Sequence, residues 1–459
     1  MSDPSYIRPE VSDMQSKAEV CNDLISGTLA MRKGGRKYLP QEPKETDLAW
    51  SIRLNRTTLF PAYQDAVDSI VGKPFGEPVI FKDLNPTIEA ALENADLTGR
   101  DIDTFTREWF RQSLIDGIGW VLVDYPRVPQ GATLADEREL GARPYLVHIP
   151  LSKVCGWKAE IIGGKHRVTQ FRWREHFEEP DGEFGVKVSE RIKVWEPGEV
   201  RVYKQNGGAW ELVPEESGPV TLKEVPLVCF APGRTGFYTA EPPLEELAWL
   251  NVTHWQSSSD QRHVLHVARV PLLAADKIPE TADGTKTIEA GPNALIIGAE
   301  NLHYVEHSGR AIESGRQDLL DLKEEMRLVS GKILSRQAGG DKSASEAALE
   351  AKDGNAKLRQ WVWTFQDCLE EALRLMSQWI GAGDNGGGSA TIATDWDDMP
   401  DPAQLPTVLQ SRLSGELSRE TWLWNAQRYG ILPNDRTIEQ EIAAIEAEGP
   451  ANFGAEAGL

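Results

Sequence analysis

The fold of this chain is decided by two stretches, PLEELAWLNVTHWQSSSDQRHVLHVAR at residues 243–269 and SGRQDLLDLKEEMRLVSGKILS at residues 314–335. Their apolar residues recur at steps of three and four, which predicts one helix for each stretch. The stripe of the first helix also carries Asn251, Ser258 and Arg262. Because so narrow and polar a stripe suits a dry core poorly, we expect both helices to pack beside copies of themselves or to line a wet surface. Two ordinary surface helices of a globular enzyme are the alternative.

The segments next to these helices differ in character. Residues 270–305 combine turn residues with β-forming runs at 294–297 and 303–305, which predicts a small α+β or hairpin module at the end of the two helices. The segment 336–343 contains Gly339 and Gly340, whose backbones accept almost any conformation, so we expect a mobile loop. A long helix with one firmly buried face is predicted from Ser345 to about 380.

The rest of the chain alternates between helical and β patterns. Helices are predicted at 11–33, at 45–71 with an interruption at Pro61, and at 101–116, and a buried strand is predicted within 120–126. From about 144 the pattern becomes β-rich. The candidate strands there are 145–149, 165–177, 186–195, 200–205, 210–213 and 227–230. Short strands are predicted at 78–81 and 390–396, and two or three helices within 402–448. The fold class is therefore α+β.

Composition restricts the classes of function. The 459 residues exceed one typical core and predict two to four substructures. The formal net charge is -22, from 71 acidic and 49 basic residues, which argues against a protein that grips nucleic acid over a broad surface. The same charge suits a conduit past which nucleic acid slides without adhering.

Cysteine usage and the N-terminus indicate the compartment. Four cysteines lie far apart without a C-x-x-C pair, so we expect reduced thiols rather than a disulfide framework or a zinc site. The first residues lack the pattern of a signal peptide, and no run approaches the roughly 18 apolar residues of a membrane span. We therefore expect a protein that is made and kept in a cytoplasm-like compartment and does not bind membranes.

Several chemical motifs are missing or weak. Gly72-Lys73 and Gly331-Lys332 lack the upstream glycine and the hydroxyl residue of a phosphate-binding loop, and the sequence has no G-x-S-x-G or H-E-x-x-H. Two groups of residues could ligate a metal ion. The histidines are better interpreted as surface or packing residues, and the aspartates as a strand end and turn. They are His254, His263 and His266, and Asp395, Asp397, Asp398 and Asp401. We predict no catalytic residue, no metal and no cofactor, and hence no enzyme.

Tryptophans of the β-rich region allow two interpretations. These residues are Trp157, Trp173, Trp195 and Trp210. Packing in the core or at a sheet edge is the simpler one, and stacking on carbohydrate is the alternative.

In the order of its parts, the chain resembles the portal proteins of tailed double-stranded DNA bacteriophages. That order is a helical start, a β-rich middle, a helix, a small module, a helix, a glycine-containing loop, a long helix and an acidic helical end. Local sequence agrees with the resemblance at 34–40, at Arg53, Arg56 and Phe60, at 119–126, at 143–145 and at 430–433. The likeness extends over nearly the whole chain, and none of its motifs is catalytic.

The resemblance implies a division of the chain into named parts. Residues 1–240 would be the wing, helical at first and β-rich from about 144; 241–269 and 310–335 the two stem helices; and 270–309 a small α/β clip. Residues 336–344 would be the tunnel loop, 345–400 a long wing helix and strand, and 401–459 an acidic helical crown. In this family the subunits form a ring, commonly of twelve, so stem helices of neighbouring copies pack side by side.

The resemblance also implies a function, a location and partners. The ring would be the head-tail connector, a structural protein of the virion at the vertex of the viral capsid, assembled in the host cytoplasm and used for DNA packaging and DNA ejection. Its partners would be other copies of itself in a homododecamer, non-specifically bound double-stranded DNA, the terminase large subunit, the major capsid protein and a tail adaptor. The DNA-channel loop would comprise Arg336, Gln337, Gly339, Gly340, Lys342 and Ser343, with Arg336 and Lys342 as transient contacts to phosphates.

Two rival functions are kept open. One is another ring protein of the virion's head-to-tail junction, although such proteins are usually much shorter than 459 residues. The other is a carbohydrate-active enzyme whose β-structure is lined by tryptophans and whose catalysts are acidic residues. The mass of the protein in solution discriminates the rings from the enzyme.

Overall fold

A computed structural model describes residues 3–127, 141–269, 272–274, 303–305, 309–334, 344–394, 396, 405–428, 431–432 and 438–448. The chain divides into two compact units, Met1–Ile392 and Ala393–Leu459. The described residues form both helices and strands, which confirms the α+β class predicted from the sequence. None of the described helices is long and apolar enough to cross a membrane.

The described helices, in chain order, are α1 (Pro9–Ile25), α2 (Thr28–Gly34), α3 (Asp47–Arg56), α4 (Ala62–Gly72), α5 (Pro86–Leu92), α6 (Ile102–Asp116), α7 (Glu245–Ala268), α8 (Arg310–Leu334), α9 (Ala344–Trp379), α10 (Leu405–Leu413), α11 (Arg419–Arg428) and α12 (Ile438–Glu448). Short 3-10 turns occur at Gly35–Lys37, Leu151–Lys153, Pro214–Glu216 and Asp384–Gly387.

The described strands are β1 (Ile80–Lys82), β2 (Gly119–Asp124), β3 (Tyr145–Pro150), β4 (Val154–Ile162), β5 (Lys165–Asp181), β6 (Gly185–Glu196), β7 (Glu199–Asn206), β8 (Ala209–Leu212), β9 (Gly218–Pro219), β10 (Leu227–Phe230), β11 (Arg234–Gly236), β12 (Thr239–Ala240), β13 (Leu272–Ala274), β14 (His303–Val305) and β15 (Ser389–Thr391). Two-stranded antiparallel ladders join β1 to β15 and β11 to β12.

A three-stranded antiparallel sheet of order β10-β2-β3 lies in the core of the first unit. The central strand carries Trp120, Val121, Leu122 and Val123, all fully buried, which confirms the predicted buried strand. Helix α6 packs on β2, and α9 packs on β2 and β10. Between these elements Phe110 and Phe230 stack with ring centroids 5.3 Å apart, and Phe365 of α9 meets both rings edge-on.

The β-rich region folds into a six-stranded antiparallel sheet of order β4-β5-β6-β7-β8, with β9 paired to β7. All six candidate strands of the 145–230 region are strands, and β4 is an additional strand that the sequence analysis missed. The turn between β5 and β6 follows Asp181, because Glu179, Pro180 and Asp181 still pair with Lys187, Val186 and Gly185.

The tryptophans of this sheet are packing residues. Trp157, Trp173 and Trp195 are at most 4% exposed, so they have no surface on which a sugar could stack. Trp210 is half-buried, and its Nε1 donates to Ser5 Oγ at 3.2 Å. The structure confirms the packing interpretation, and carbohydrate stacking is wrong for the three buried rings.

The N-terminal helices are shorter and more numerous than predicted. The helix expected at 11–33 is broken into α1 and α2 at Gly27, whose φ of +81 favours glycine. The break at Pro61 between α3 and α4 is where the sequence places it. Helix α5 was missed because seven residues are too few for a periodic pattern, although Asn85 caps it by accepting from Thr87 N at 2.9 Å and Pro86 begins it.

Two of the four cations in the basic stretch 31–37 are ion-paired in the folded chain. Arg32 donates to Thr57 O at 2.9 Å, Arg36 pairs with Asp47 at 2.8 Å, and Lys37 pairs with Glu19 at 2.6 Å. Lys33 forms no ion pair within the described residues. The most positive stretch of the sequence is therefore not a broad positive patch.

The long helix α9 begins at Ala344, one residue before its predicted start. The predicted stripe is buried from Leu358 to Met376, which confirms the expected core-facing side. Residue Ile380 lies just beyond the end of the helix and is half-buried. All four cysteines are free thiols, as expected, and burial raises the pKa of Cys21 to about 12.

In the second unit, helices α10, α11 and α12 pack in sequence, α11 against both others. Leu423 and Ala426 of α11 are buried. Arg419 approaches Glu446 of α12 at 3.9 Å, a distance that contributes little at an exposed site. Three helices within 402–448 agree with the two or three predicted.

Candidate functional site

Helices α7 and α8 form the predicted pair, and the short ladder β13–β14 connects their ends. Leu272, Leu273 and Ala274 pair antiparallel with Val305, Tyr304 and His303. Helix α8 begins at Arg310, four residues before the start of the periodic stretch. It directly follows Gly309, whose φ of +76 lies in the left-handed region that favours glycine. Residues 275–302 lie outside the described residues, so the predicted strand at 294–297 is not tested. We call α7, α8 and this ladder the hairpin.

The first half of α7 is buried in the core, contrary to the expectation of a wet or intersubunit surface. Leu247, Ala248 and Trp255 are fully buried, and so is the polar Asn251. The expectation failed because it treated polar residues in the stripe as incompatible with burial. The core instead supplies partners to Asn251, whereas Arg262 of the same stripe stays exposed.

Asn251 hydrogen-bonds to backbone groups on both sides of Pro61. Its side-chain oxygen accepts from Tyr63 N at 3.0 Å, and its side-chain nitrogen donates to Phe60 O at 3.0 Å. Tyr63 lies in the first turn of α4, where backbone N–H groups have no partner within the helix. Asn251 therefore attaches α7 to the break between α3 and α4.

Arg53 of α3 makes a second attachment to α7. Its guanidinium pairs with Glu45 at 2.8 Å and with Asp260 of α7 at 3.1 Å, and donates to Pro40 O at 2.9 Å. The hydrogen bonds from Arg53 lower the pKa of Glu45. Arg53 is only 6% exposed, so this cluster is a structural clamp on one side of α7.

His254 lies between α7, α8 and the break after α3. It is buried, and its ring is 5.2 Å from that of Phe60, over which Lys323 of α8 places its ammonium group at 4.6 Å. Neither ring nitrogen has a hydrogen-bond partner among the described residues. Burial, reinforced by the charge of Lys323, lowers the pKa of His254 to about 4.

The other two histidines of the possible metal-ligand group lie apart from His254. His263 and His266 are exposed on α7, whereas His254 is buried half a helix away. Within the described residues, no group of three or more His, Cys, Asp or Glu side chains could hold a metal ion.

A close approach between α7 and α8 occurs at Gly315. Gln261 Nε2 donates to Ile312 O at 2.8 Å, and a Cβ on Gly315 would overlap the side-chain oxygen of Gln261. Further along α8, Leu322 and Met326 are buried. The predicted narrow stripe of α8 is confirmed over its described side chains.

Helix α8 carries exposed leucines on its outer side, and its total charge is balanced. The helix contains five acidic and five basic residues. The outer-side leucines Leu320 and Leu328 are 44% and 49% exposed. The sequence analysis missed both, although leucines off the buried stripe and eight residues apart were a detectable signal.

The glycine spacing G-x-G-x-x-G occurs at 381–386, where the sequence analysis did not recognise it. In the structure it follows helix α9 and precedes strand β15. A dinucleotide-binding turn requires the reverse order, a strand before it and a helix after it. The segment therefore does not form such a site.

Every residue predicted to form the DNA-channel loop lies outside the described residues. These are Arg336, Gln337, Gly339, Gly340, Lys342 and Ser343. The same holds for Asp395, Asp397, Asp398 and Asp401. Their predicted roles stay predictions.

Comparison with known proteins gives one family match and several similar structures. A family model described as a domain of unknown function (DUF4055) matches residues 243–380, from just before α7 to just after α9. A search of curated proteins gives no match. The chain is similar to a chain of the neck of an empty GTA particle computed with C6 symmetry, at 14% identity and a TM-score of 0.42, covering 79% of this chain and 88% of that one.

A second similar structure is a chain of the neck of a native GTA particle computed with C12 symmetry. The identity is 14% and the TM-score 0.40, and the similarity covers 87% of this chain and 97% of that chain.

Proposed function

We propose that this chain is the subunit of a portal-type ring at the head-to-tail junction of a phage-like particle, through which double-stranded DNA is packaged and ejected. The observation that carries the proposal is the hairpin. Helices α7 and α8, of 24 and 25 residues, are attached to an α+β body through the first part of α7. At the other end of α7 the ladder β13–β14 reverses the direction of the chain. A 36-residue helix then returns to the core. The portal resemblance implies this same succession of parts.

The proposed parts follow the boundaries given by the sequence. The wing would comprise 1–240 and 345–400, the stem helices 241–269 and 310–335, the clip 270–309, the tunnel loop 336–344 and the crown 401–459. The hairpin's attachment by Asn251, Arg53 and His254 supports this division, because a channel wall must be held rigidly by the surrounding wing. The outward side of α8 would then face neighbouring copies or the channel.

In this proposal the protein is a passive conduit and not an enzyme. Its net charge of -22 repels the phosphate backbone, so DNA moves without adhering while an external motor supplies the work. A few cations in the tunnel loop, Arg336 and Lys342, would touch phosphates transiently and without reading sequence. The clip would bind the terminase large subunit during packaging and a tail adaptor afterwards, and the wing would contact the major capsid protein.

The two rivals fare differently. Another ring protein of the same junction would share the ring and differ in its partners. The carbohydrate-active enzyme loses its main support, because three of the four tryptophans that suggested it are buried in the body.

The test is the mass of the purified chain in solution, with images of its particles. We expect light scattering to give a large, defined oligomer and negative-stain microscopy to show rings viewed along their axis, commonly of twelve copies. A species that stays at the 51.0 kDa of one chain at all concentrations, with no rings, would exclude the proposal.

A further inference from the structure

Helices α2 and α3 present an exposed apolar surface with unpaired cations. Leu29 is 78%, Leu48 72% and Ile52 41% exposed. Lys33 and Arg56 are exposed as well, and neither forms an ion pair within the described part of the chain. We call Leu29, Lys33, Leu48, Ile52 and Arg56 the cationic face.

Helix α2 contacts the residues that follow α3 at one end and α3 itself at the other. At one end Thr28 Oγ1 accepts from Leu59 N at 3.2 Å, and nearby Arg32 donates to Thr57 O at 2.9 Å. At the other end a Cβ on Gly35 would be 3.6 Å from the ring of Trp50. Leu29 and Lys33, four residues apart, share one side of α2, and Leu48 and Ile52 share one side of α3.

A second exposed apolar surface, of opposite charge, lies on the outer side of α8. Leu320 and Leu328 flank the exposed carboxylates Asp321 and Glu325, and neither carboxylate is ion-paired in the described structure. The arginines of the same helix, Arg316 and Arg327, pair with other acids, Glu313 and Glu324. We call Leu320, Asp321, Glu325 and Leu328 the acidic face.

Both faces are exposed in the described structure. Helix α3 is held by Asp260 of α7 through Arg53, and α8 is held by the next residue, Gln261, through Ile312 O. Each face is therefore available to another chain.

We propose that the acidic face of one copy packs on the cationic face of the next, as the two halves of a head-to-tail contact. The proposal rests on the ring function proposed above and names the surfaces that close the ring. Exposed leucines next to charges of one sign indicate an interaction surface, and the second copy is the partner because the complementary surface lies on the same chain. A contact between two different patches of identical subunits generates a closed ring when the rotation closes.

Charge reversal tests the pairing. One variant carries Lys33→Glu and Arg56→Glu, and another carries Asp321→Lys and Glu325→Lys. Each brings like charges together at every contact, and we expect association per contact to weaken at least about tenfold, so that native mass spectrometry finds mainly the 51.0 kDa chain. The matched control, Lys165→Glu with Arg167→Glu, reverses two exposed cations of β5 outside both faces and should assemble as the unsubstituted chain does.

Mixing the two variants gives the sharper result. In an equal mixture, unsubstituted faces meet unsubstituted faces and reversed faces meet reversed faces, so rings of alternating copies should form again. The chain with all four substitutions should likewise form rings, because both halves of each contact are reversed together. Far-ultraviolet circular dichroism of every variant verifies that the chains are folded.

The outcomes separate this inference from the function on which it rests. If the unsubstituted chain forms rings but either reversal variant also does, or if neither the mixture nor the fourfold variant regains them, the pairing of these faces is wrong and the ring stands. If the unsubstituted chain never forms rings, both proposals fail.

Discussion

Asn251 illustrates how single polar residues fix the hairpin to the body. It is fully buried in the middle of a helix, and its amide accepts from Tyr63 N and donates to Phe60 O, on the two sides of Pro61. A polar residue in a helical stripe can thus mark an attachment point rather than a wet surface. The position of its partners, some 190 residues earlier in the chain, is what decides between the two.

The substitution Asn251→Leu should lower the free energy of unfolding by about 2–4 kcal/mol. It leaves the Tyr63 N–H without a partner, which costs about 1–3 kcal/mol, and removes one of the two hydrogen bonds that Phe60 O accepts, which is worth about 0.5–1.5 kcal/mol. Urea denaturation at one fixed protein concentration measures the change. Asn55→Leu, on the exposed side of α3, is the control and should change stability by about 0.5 kcal/mol or less. Equal effects of the two substitutions would contradict this role of Asn251.

His254 should make stability depend on pH. Its pKa is lowered to about 4 in the folded chain and is near 6.5 in an unfolded one, so the unfolded state binds more protons between these values. The contribution is therefore complete above about pH 6.5 and is lost as pH falls toward 4. Between pH 7 and pH 5 the loss should be about 2 kcal/mol.

Comparison with His254→Leu isolates this contribution. The free energy of unfolding of the variant should fall less than that of the unsubstituted chain between pH 7 and pH 5. Burial also lowers the pKa of His148 to about 4. Because both chains contain His148, its contribution to the pH dependence cancels in the comparison. His263→Leu, on the exposed side of α7, is the control and should keep the pH dependence of the unsubstituted chain. A His254→Leu chain with undiminished pH dependence would refute the assignment.

At the scale of elements, the start of α7 depends on the turn that follows α6. Gly117 ends α6 with a φ of +81, and a Cβ there would lie 2.5 Å from the carbonyl group of Glu241 and 2.8 Å from Pro242 N, just before α7. The glycine therefore satisfies two conditions at once. One is a left-handed backbone conformation and the other is close contact with the chain that enters the hairpin.

Gly117→Ala should consequently be more destabilising than positive φ alone explains. Gly99→Ala is the matched control, because Gly99 has a φ of +96 and nothing within 4 Å of its would-be Cβ. We expect Gly99→Ala to lower the free energy of unfolding by about 1–2 kcal/mol through backbone strain. Gly117→Ala should lower it by about 2 kcal/mol more, because of the added overlap. Thermal unfolding of the two variants gives the comparison, and similar values would exclude an overlap at Gly117.

The tunnel loop provides a prediction at the same scale. Arg336→Ala combined with Lys342→Ala should leave ring assembly intact and change the amount of DNA packaged or retained, because the loop loses its contacts to phosphates. Nuclease-protected DNA per particle is the measurement. Lys165→Ala with Arg167→Ala removes the same charge from β5 and serves as control. Normal packaging and retention by the loop variant would show that these residues are not the contact.

For the whole molecule, charge is distributed more evenly than its total suggests. The net charge is -22, yet α8 is balanced, and Arg36 and Lys37 of the basic stretch 31–37 are ion-paired. Repulsion of DNA then depends on the sum over the assembled copies rather than on one strongly acidic helix.

The isolated protein should therefore bind duplex DNA poorly at physiological salt. The net charge of -22 repels the phosphate backbone and so opposes binding. Fluorescence anisotropy with a labelled duplex, repeated over a range of salt concentrations, measures this. Tight binding that weakens steeply with salt would contradict a repelling conduit.

The sequence predicted those elements whose pattern is long or strictly periodic. The buried strand β2, the sheet strands β5, β6, β7 and β10, and the helices α7, α8 and α9 were all located to within a few residues. It missed β4 and α5. It also treated 11–33 as one helix, because the glycine conformation at Gly27 leaves only a weak trace in the sequence.

By itself, the sequence determined the α+β class, the succession of elements and the buried face of α9, because these follow from the spacing of apolar residues along the chain. Only the tertiary structure decided that the first half of α7 and the apolar stripe of α8 lie in the core. It does so for α7 because Asn251 finds partners far away in sequence at Phe60 and Tyr63. The tertiary structure also paired Arg36 and Lys37 with carboxylates and left Lys33, Arg56, Asp321 and Glu325 without ion pairs among the described residues. Periodicity identifies which side of a helix is apolar, whereas packing decides which polar groups meet.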